Sequence, residues 1–411
     1  MSITARRAPS VTVKAVITAS AAALALTACG SADASAAAPI SLSATAGPTG
    51  TTFWDVAEQP PADAKPGDVH WVQPRSDAPD GSQAWNVVYV SEIQPGVKKY
   101  VSGEVYVPKG KAKSPRDMVL WNHETTGLAD NCAPSRRSLG EGEQSRVPGI
   151  AALLDQGYVV AMSDYPGQGL PGPSYYMSGQ VNARASLDML RAVHNLPEID
   201  ASNRFVEYGW SQGGQTTMHV ESIAQTYAPE FDGVGAGLVA PAVRIRELTL
   251  NSMQSPELAG YVISTLPGIK AGYPDLRYGD FLTDEAMEQL PVLSDGCFDV
   301  WSTAASVRNA YEPGAMAPDG GWWKAFTAVD DFRPAGSMPF VIYQGSDDKT
   351  TPAALTSREQ TAICASGAAS QYNEFPGLEH ETVVPEAAER FPAWAADRFA
   401  GAVAPSNCPQ P

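Results

Sequence analysis

Basic residues are scarce in this 411-residue chain, which has 28 Lys and Arg against 45 Asp and Glu and a formal charge of −17. A surface of that sign repels phosphate groups and argues against nucleic acid as a partner. Glycine (36 residues) and proline (34 residues) are spread along the chain without a repeat, which excludes collagen, coiled-coil and solenoid architectures. With 44% hydrophobic and 18% charged residues, the chain is too apolar to be disordered and suits one large domain or two ordinary ones.

The N-terminal segment lacks a run that would cross a membrane comfortably, because its apolar stretch at residues 15–26 is short and rich in alanine. This stretch follows a basic region and ends in LTAC at Cys29, a sequence similar to a bacterial lipobox. We predict a lipoprotein signal peptide over residues 1–28, followed over residues 29–52 by the acylated cysteine and a flexible tether. The exported protein would lie on the outer face of the cell membrane; secretion after an ordinary signal peptide is the alternative.

Cysteine is rare, with five residues and no C-x-x-C pair, so a zinc site is improbable on spacing alone. Apart from Cys29, four cysteines remain in the predicted exported part, and an even number outside the cytosol predicts two disulfides. Three pairings are possible, and the spacing does not choose among them. The four are Cys132, Cys297, Cys364 and Cys408.

Strand and helix patterns alternate beyond residue 80, which indicates an α/β chain with a mostly parallel sheet covered on both faces. Strands are predicted at residues 85–91, 100–107, 118–121, 158–162, 205–208, 234–239, 339–343 and 371–375. Helices are predicted at residues 150–156, 181–194, 215–226 and 351–365, the last capped by Thr351 with Pro352 at its first position.

The alternation stops between residues 244 and 333, where helical patterns occur without a convincing strand. The patches lie at residues 256–265, 283–290 and 301–310. We expect a helical cap, residues 244–333, inserted after the sixth predicted strand, with the two parts of the core at residues 53–243 and 334–411.

The pattern G-x-S-x-G occurs at residues 209–213, where the sequence is GWSQG. The pattern alone is weak, but a predicted strand ends directly before it and a helical pattern begins directly after it. A nucleophilic serine on an α/β-hydrolase sheet needs this strand–turn–helix, because the sharp turn pushes the hydroxyl outward and the glycines leave room for neighbouring backbone. We therefore predict Ser211 as the nucleophile; the alternative is an ordinary serine in a glycine-rich turn.

A serine hydroxyl needs a base, and α/β-hydrolases order the triad along the chain as Ser, acid, His. Of the five histidines, only His380 follows the later predicted strands. The acid should follow the strand at residues 339–343, where Asp347 and Asp348 are adjacent. The spacing G-x-x-D-x-x-x-P, common in related hydrolases, selects Asp348 to orient the imidazole and leaves Asp347 as a solvated turn residue.

Two backbone amides are predicted to hold the oxyanion. Gln212 follows the nucleophile directly and supplies the first. The second usually comes from the loop after the third strand, where this chain has HETTG at residues 123–127, so Thr125 aligns with the donor position. Glu124 occupies the place of the usual glycine, and His123, which precedes the nucleophile in the chain, is predicted to be structural.

These motifs together resemble the secretory lipase family, typified by Candida antarctica lipase A. The shared features are HETTG followed by CAPS at residues 132–135, SDYPGQG at residues 163–169, YGWSQGG at residues 208–214, the late Asp348 and the pair Glu379-His380. The resemblance covers residues 53–411, and Trp210 and Glu124 are the departures from the family pattern.

The resemblance implies an α/β-hydrolase core with a helical cap and activity on carboxylic esters, acylglycerols included. It implies Ser211, Asp348 and His380 as the triad and the amides of Thr125 and Gln212 as oxyanion donors. It also implies the disulfides Cys132–Cys297 and Cys364–Cys408. No metal or organic cofactor is implied, and the expected partners are a small ester or lipid substrate and, through Cys29, the membrane.

The substrate remains open among lipid esters, short-chain esters, polyesters and lactones. Apolar side chains of the cap segment either line an acyl tunnel or form the core of that segment, which is the commoner arrangement. These residues are Leu258, Tyr261, Val262, Ile263, Trp322, Trp323 and Phe326. The same triad serves acyltransferases and aminopeptidases, whereas a non-catalytic binding lipoprotein is disfavoured because all three triad residues are present in order.

Overall fold

The fold is taken from a computed structural model, which describes residues 40–57, 59–138, 147–330 and 332–409. The predicted signal peptide, residues 1–28, and the predicted acylation site Cys29 lie outside these residues. Within the ranges given, no helix has both the length and the hydropathy that crossing a membrane requires.

A nine-stranded sheet is the framework of the described chain. Its spatial order is β1-β2-β3-β5-β4-β6-β7-β8-β9. The first three pairings are antiparallel, and every pairing from β5 to β9 is parallel. The strands are β1 Val69–Arg75, β2 Ser82–Gln94, β3 Val97–Pro108, β4 Arg116–Asn122, β5 Val159–Ser163, β6 Ala201–Trp210, β7 Asp232–Val239, β8 Phe340–Gly345 and β9 Ser370–Phe375. The predicted mostly parallel sheet is therefore confirmed.

Ten helices accompany the sheet within the described residues. They are α1 Ile150–Asp155, α2 Gly179–His194, α3 Gln212–Tyr227, α4 Ile245–Ser252, α5 Ala259–Gly272, α6 Asp284–Met287, α7 Gln289–Ser294, α8 Gly321–Val329, α9 Ala353–Ala365 and α10 Val384–Phe399. Helices α4, α8 and α10 were not predicted.

Alternate residues of the central strands pack into two different cores, as the period of a β-strand requires. On β4, Met118 and Leu120 join the core formed with α2 and α3, whereas Val119 and Trp121 join the core formed with α1 and α10. Helices therefore cover both faces, and the carboxyl ends of the parallel strands are left to carry loops.

Strand β1 was missed by the sequence prediction. It lies at the edge of the sheet and includes Pro74, which has no amide hydrogen and is tolerated in edge strands. Because β1 precedes the predicted strands, the strand before the cap segment is the seventh of the sheet, not the sixth.

The described part of the predicted tether, residues 40–52, is not free of the core. Leu42 is buried against the sheet, Ile40 exchanges two hydrogen bonds with the Gln83 side chain, and the amide of Gly47 donates to the carbonyl of Val72 at 2.9 Å. The tether prediction overlooked that one leucine and backbone hydrogen bonds suffice to hold a short segment on an edge strand.

Helices α4 to α8 lie between β7 and β8, inside the cap segment, residues 244–333, and share a hydrophobic cluster of their own. The helix predicted at residues 301–310 is instead a 3-10 helix, Phe298–Ser306. Its buried residues Trp301 and Ala304 are followed by buried Val307, a three-residue spacing that matches the 3-10 repeat.

Two disulfides link distant parts of the chain, Cys132 to Cys297 and Cys364 to Cys408, which is the pairing that the family resemblance implied. The first joins the segment after β4 to the cap segment, where Gly127 also pairs with Cys297. The second fastens the C-terminal residues beside β9, where the amide of Asn407 donates to the carbonyl of Ser370 at 2.9 Å.

Removing the first disulfide by Cys132→Ser with Cys297→Ser is expected to lower the free energy of unfolding by about 2–5 kcal/mol. The matched pair Cys364→Ser with Cys408→Ser should cost about 1 kcal/mol less, because chain entropy grows with loop length and the bridged separations are 165 and 44 residues. Urea unfolding followed by tryptophan fluorescence measures both. A larger loss from the second pair would contradict the chain-entropy explanation.

Candidate active site

Ser211 lies in a tight turn between β6 and α3 with φ 55° and ψ −115°, a conformation that is strained for a residue with a Cβ. Backbone hydrogen bonds hold the turn: the Ser211 amide donates to the carbonyl of Val239, and the amides of Gly214 and Ala242 donate to the Ser211 carbonyl, at 2.9–3.0 Å. The turn has the form of a nucleophile elbow.

The two glycines of the motif are required by space. A Cβ on Gly209 would overlap the carbonyl of Gly213, and a Cβ on Gly213 would overlap the carbonyl of Asn122 at the end of β4. The close packing of these three backbone segments brings the loop after β4 to the elbow, since Asn122 is in register with Gly209.

Asp348 and His380 form a buried hydrogen bond in the loops that follow β8 and β9. The imidazole Nδ1 lies 2.8 Å from Asp348 Oδ2, and both residues are about 5% exposed or less. With the carboxylate as acceptor, Nδ1 carries the proton and Nε2 is the basic nitrogen. The exposed Asp347 accepts instead from the Ser346 hydroxyl.

Several donors converge on the Asp348 carboxylate besides the imidazole. The amides of Thr350 and Thr351 donate to Oδ1 at 2.9 and 2.7 Å, and the Thr351 hydroxyl is 2.8 Å from Oδ2. Burial by itself raises the pKa of Asp348, but the hydrogen bond and charge of His380, with the Thr351 donors, outweigh burial and hold the pKa below its ordinary value. The group is therefore kept ionised beside the imidazole.

Thr351 does not cap α9, although the sequence pattern predicted that it would. The N-cap position belongs to Pro352, and the Thr351 hydroxyl lies 3.1 Å from His380 Nδ1 and 3.0 Å from the carbonyl of Ala240. The hydroxyl is withdrawn from the helix end because the carboxylate beside it is a stronger acceptor.

His380 lies next to the elbow as well as next to the acid. Its ring centroid is 5.5 Å from that of Trp210, the residue before Ser211. Thr351, which touches the imidazole, lines the same cavity as Ser211. The structure thus brings the three predicted triad residues to one end of the sheet.

Thr125 and Gln212 line the cavity together with Ser211. The Gln212 amide is at the first position of α3, where backbone N–H groups have no partner inside the helix. The Thr125 hydroxyl is 3.0 Å from the hydroxyl of Tyr176. Both positions predicted to supply oxyanion donors therefore border the nucleophile.

His123 is buried and has a structural environment, as predicted. Its ring stacks on Tyr165 at 4.2 Å, and its Nδ1 lies 2.6 Å from the carbonyl of Glu124. The Tyr165 hydroxyl also donates to the carbonyl of His123. These contacts fix the backbone of the loop at the position where Glu124 replaces glycine.

The cavity is lined by Ser211, by residues of the loops around it, and by residues of α4 and α5 in the cap segment. Of the apolar cap residues singled out from the sequence, Leu258, Tyr261 and Val262 line it, whereas Ile263, Trp322 and Phe326 are buried in the cluster of the cap segment. The sequence did not identify the remaining lining residues, which are Tyr176, Met177, Ala242, Ile245, Leu248, Thr249, Ser252, Thr265, Thr350 and Thr351.

A buried carboxyl group lies below the elbow on β6. Glu207 is fully buried, and it accepts one hydrogen bond, from the Asn122 amide at 3.2 Å. Asn122 also contacts Thr217 on α3 and Ser186 on α2. Within the described ranges no basic side chain forms an ion pair with Glu207, so burial, reinforced by the charge of Glu221, raises the pKa of Glu207 well above its ordinary value.

The variant Glu207→Gln is expected to become more stable relative to wild type as pH rises above about 4.5, the ordinary glutamate pKa. In that range the unfolded wild-type chain releases the Glu207 proton while the folded chain retains it. The free energy of unfolding of the wild type therefore falls by about 1.4 kcal/mol per pH unit. Urea unfolding at pH 5 and pH 7 should show that the variant gains stability relative to wild type between these two pH values. If the free energies of unfolding of the variant and wild type differed by the same amount at both pH values, Glu207 would be ionised in the folded chain.

Comparison with known proteins relates the chain to lipases and esterases. The family model described as secretory lipase matches residues 143–310. The resemblance to the secretory lipase family is confirmed. A secreted triacylglycerol lipase of Malassezia globosa is 26% identical over 324 residues, which cover 71% of this chain and 67% of the relative. The trichothecene C-3 esterase of Fusarium sporotrichioides is 26% identical over 255 residues, covering 58% and 56%.

The fold of the chain is also found among solved structures. Candida antarctica lipase A in its closed state superposes with a TM-score of 0.71 and 19% identity over 85% of this chain and 86% of that one. The α/β-hydrolase fold expected from the sequence is thus confirmed. The relatives named above are carboxylic ester hydrolases by name, and relatives of the chain are named as secreted.

Proposed function

We propose that the chain is an exported serine hydrolase of carboxylic esters, acting through Ser211, His380 and Asp348. The observation that carries the proposal is the buried Asp348–His380 hydrogen bond of 2.8 Å beside a serine held at positive φ in a strand–turn–helix. The lipase and esterase names of the relatives support the same reaction class.

In the proposed mechanism His380 Nε2 removes the Ser211 proton as Oγ attacks the ester carbonyl carbon. The negative charge that forms on the carbonyl oxygen is held by the amides of Gln212 and Thr125, each worth on the order of 3 kcal/mol. Asp348 stabilises the imidazolium, which then protonates the departing alcohol. Water, deprotonated by His380, attacks the acyl-enzyme and releases the carboxylic acid.

The division into a core and a cap, residues 244–333, is part of the proposal. Helices α4 and α5 supply residues of the cavity wall beside Ser211, so the cap segment would choose which esters reach the nucleophile.

A fluorophosphonate tests the proposed nucleophile directly, because its phosphorus is attacked by an activated serine and by few other groups. We expect stoichiometric labelling with the modified peptide containing Ser211, together with turnover of p-nitrophenyl esters. Turnover of an aminoacyl anilide without ester turnover would favour a peptidase, and acyl transfer to an added alcohol in place of water would favour an acyltransferase. Labelling of another residue would contradict the assignment.

Attachment to the membrane through a lipid on Cys29 is also proposed, on the lipobox-like LTAC sequence. In cells of an exporting bacterium fed radioactive palmitate, the wild-type protein should take up label and remain with the membrane fraction. Cys29→Ala should take up none. Label retained in the variant would contradict this proposal.

A further inference from the structure

Two hydroxyl groups on α4 line the cavity beside Ser211, and neither forms a hydrogen bond to another group in the described structure. They belong to Thr249 and Ser252, each 6% exposed. A hydroxyl that loses its contact with water and gains no other hydrogen-bond partner costs about 1–3 kcal/mol. By contrast, the hydroxyls of Thr125, Thr265 and Thr351 in the same cavity are all bonded to protein groups.

The two hydroxyls occupy one face of α4, further along the helix than Ile245. Ile245, Leu248, Thr249 and Ser252 line the cavity, a spacing that places them on one side of a helix. The helix begins near the elbow, since the amide of Ala242 bonds the Ser211 carbonyl. With a rise of about 1.5 Å per residue, Thr249 lies about 6 Å and Ser252 about 10 Å beyond Ile245 along the helix axis.

The part of the cavity wall that α4 forms is therefore apolar near the start of the helix and polar further along. A saturated acyl chain that reached the polar part would leave both hydroxyls unpaired, whereas an oxygen atom in the chain would accept from them. No charged side chain is among the lining residues in the described structure, so the fitting group is a neutral oxygen and not a carboxylate.

We propose that this site prefers esters whose acyl part carries a neutral hydrogen-bonding oxygen several atoms from the carbonyl carbon. Thr249 and Ser252 are the residues that select it. The proposal rests on the ester hydrolase function proposed above and names the substrate class of that site: oxygenated acyl esters.

The test compares p-nitrophenyl octanoate with analogues in which an ether oxygen replaces one methylene at positions 4, 5 or 6. The chains have nearly the same length, and the leaving group is shared. We expect kcat/KM of the best ether analogue to exceed that of octanoate by about tenfold, the effect of one hydrogen bond worth about 1.4 kcal/mol.

Thr249→Val and Ser252→Ala should each reduce this ratio, and the double variant should bring it to one or below. Thr265→Val is the matched control, because its hydroxyl lines the same cavity but already donates to the carbonyl of Tyr261, and the ratio should be retained. Octanoate preferred by the wild type, or a ratio unchanged in the double variant, would overturn the proposal. No turnover of any ester would contradict the proposed function as well, so the two failures are distinguishable.

Discussion

Ser211→Ala is expected to lower kcat for p-nitrophenyl esters by a factor on the order of 10⁶, the loss found when a triad serine is removed from a hydrolase of the same chemistry. Without the hydroxyl no acyl-enzyme forms, and the oxyanion donors leave only a residual acceleration. Initial rates measured with purified protein, and the absence of fluorophosphonate labelling, would check this.

Ser222→Ala is the matched control for this variant. Ser222 is on the same helix, α3, and its hydroxyl donates to the carbonyl of His219 within that helix, away from the cavity residues. Its activity should stay within about twofold of wild type, in line with a stability change of about 0.5 kcal/mol or less. Equal activity of Ser211→Ala and wild type would discard the elbow as the catalytic turn.

Asp348→Asn is expected to lower kcat by about 10⁴-fold with little change in fold, because asparagine keeps the shape but favours the wrong imidazole tautomer. The amides of Thr350 and Thr351 donate to Oδ1, which the asparagine oxygen can still accept. The amide nitrogen would then donate to His380 Nδ1, so the imidazole proton would lie on Nε2. Nε2 could then no longer accept the proton of Ser211.

Asp347→Asn makes the same chemical change one residue earlier, at an exposed position. Its activity should remain close to that of wild type. If both variants lose activity equally, the effect comes from the loop and not from the carboxylate at position 348.

The sequence could single out the proposed triad positions because each has a local signature. Ser211 has glycines that the turn requires for space, and His380 and Asp348 follow strands whose order along the chain is fixed by the fold. The prediction that Thr351 caps α9 was wrong because a helix-start pattern considers the helix alone. The Thr351 hydroxyl instead contacts the Asp348 carboxylate and the His380 imidazole.

The walls of the cavity could not be predicted in the same way. Thr249, Ser252 and Tyr176 meet only after the cap segment has packed on the sheet, and nothing in their local sequence distinguishes a cavity wall from a helix core. Leu258 and Ile263 illustrate the limit: both are apolar residues of one helical region, yet one lines the cavity and the other is buried in the cap cluster.

The link between Cys132 and Cys297 determines how the cap segment can move. Beside it, the amide of Phe298 donates to the carbonyl of Thr126, and the amide of Leu128 donates to the carbonyl of Gly296. This corner of the cap segment is therefore held to the backbone that carries Thr125. A rotation of the cap segment that widened the entrance to the cavity would therefore have its hinge at this corner. The backbone that carries Thr125 would stay in place while the opposite margin of the cap segment lifted.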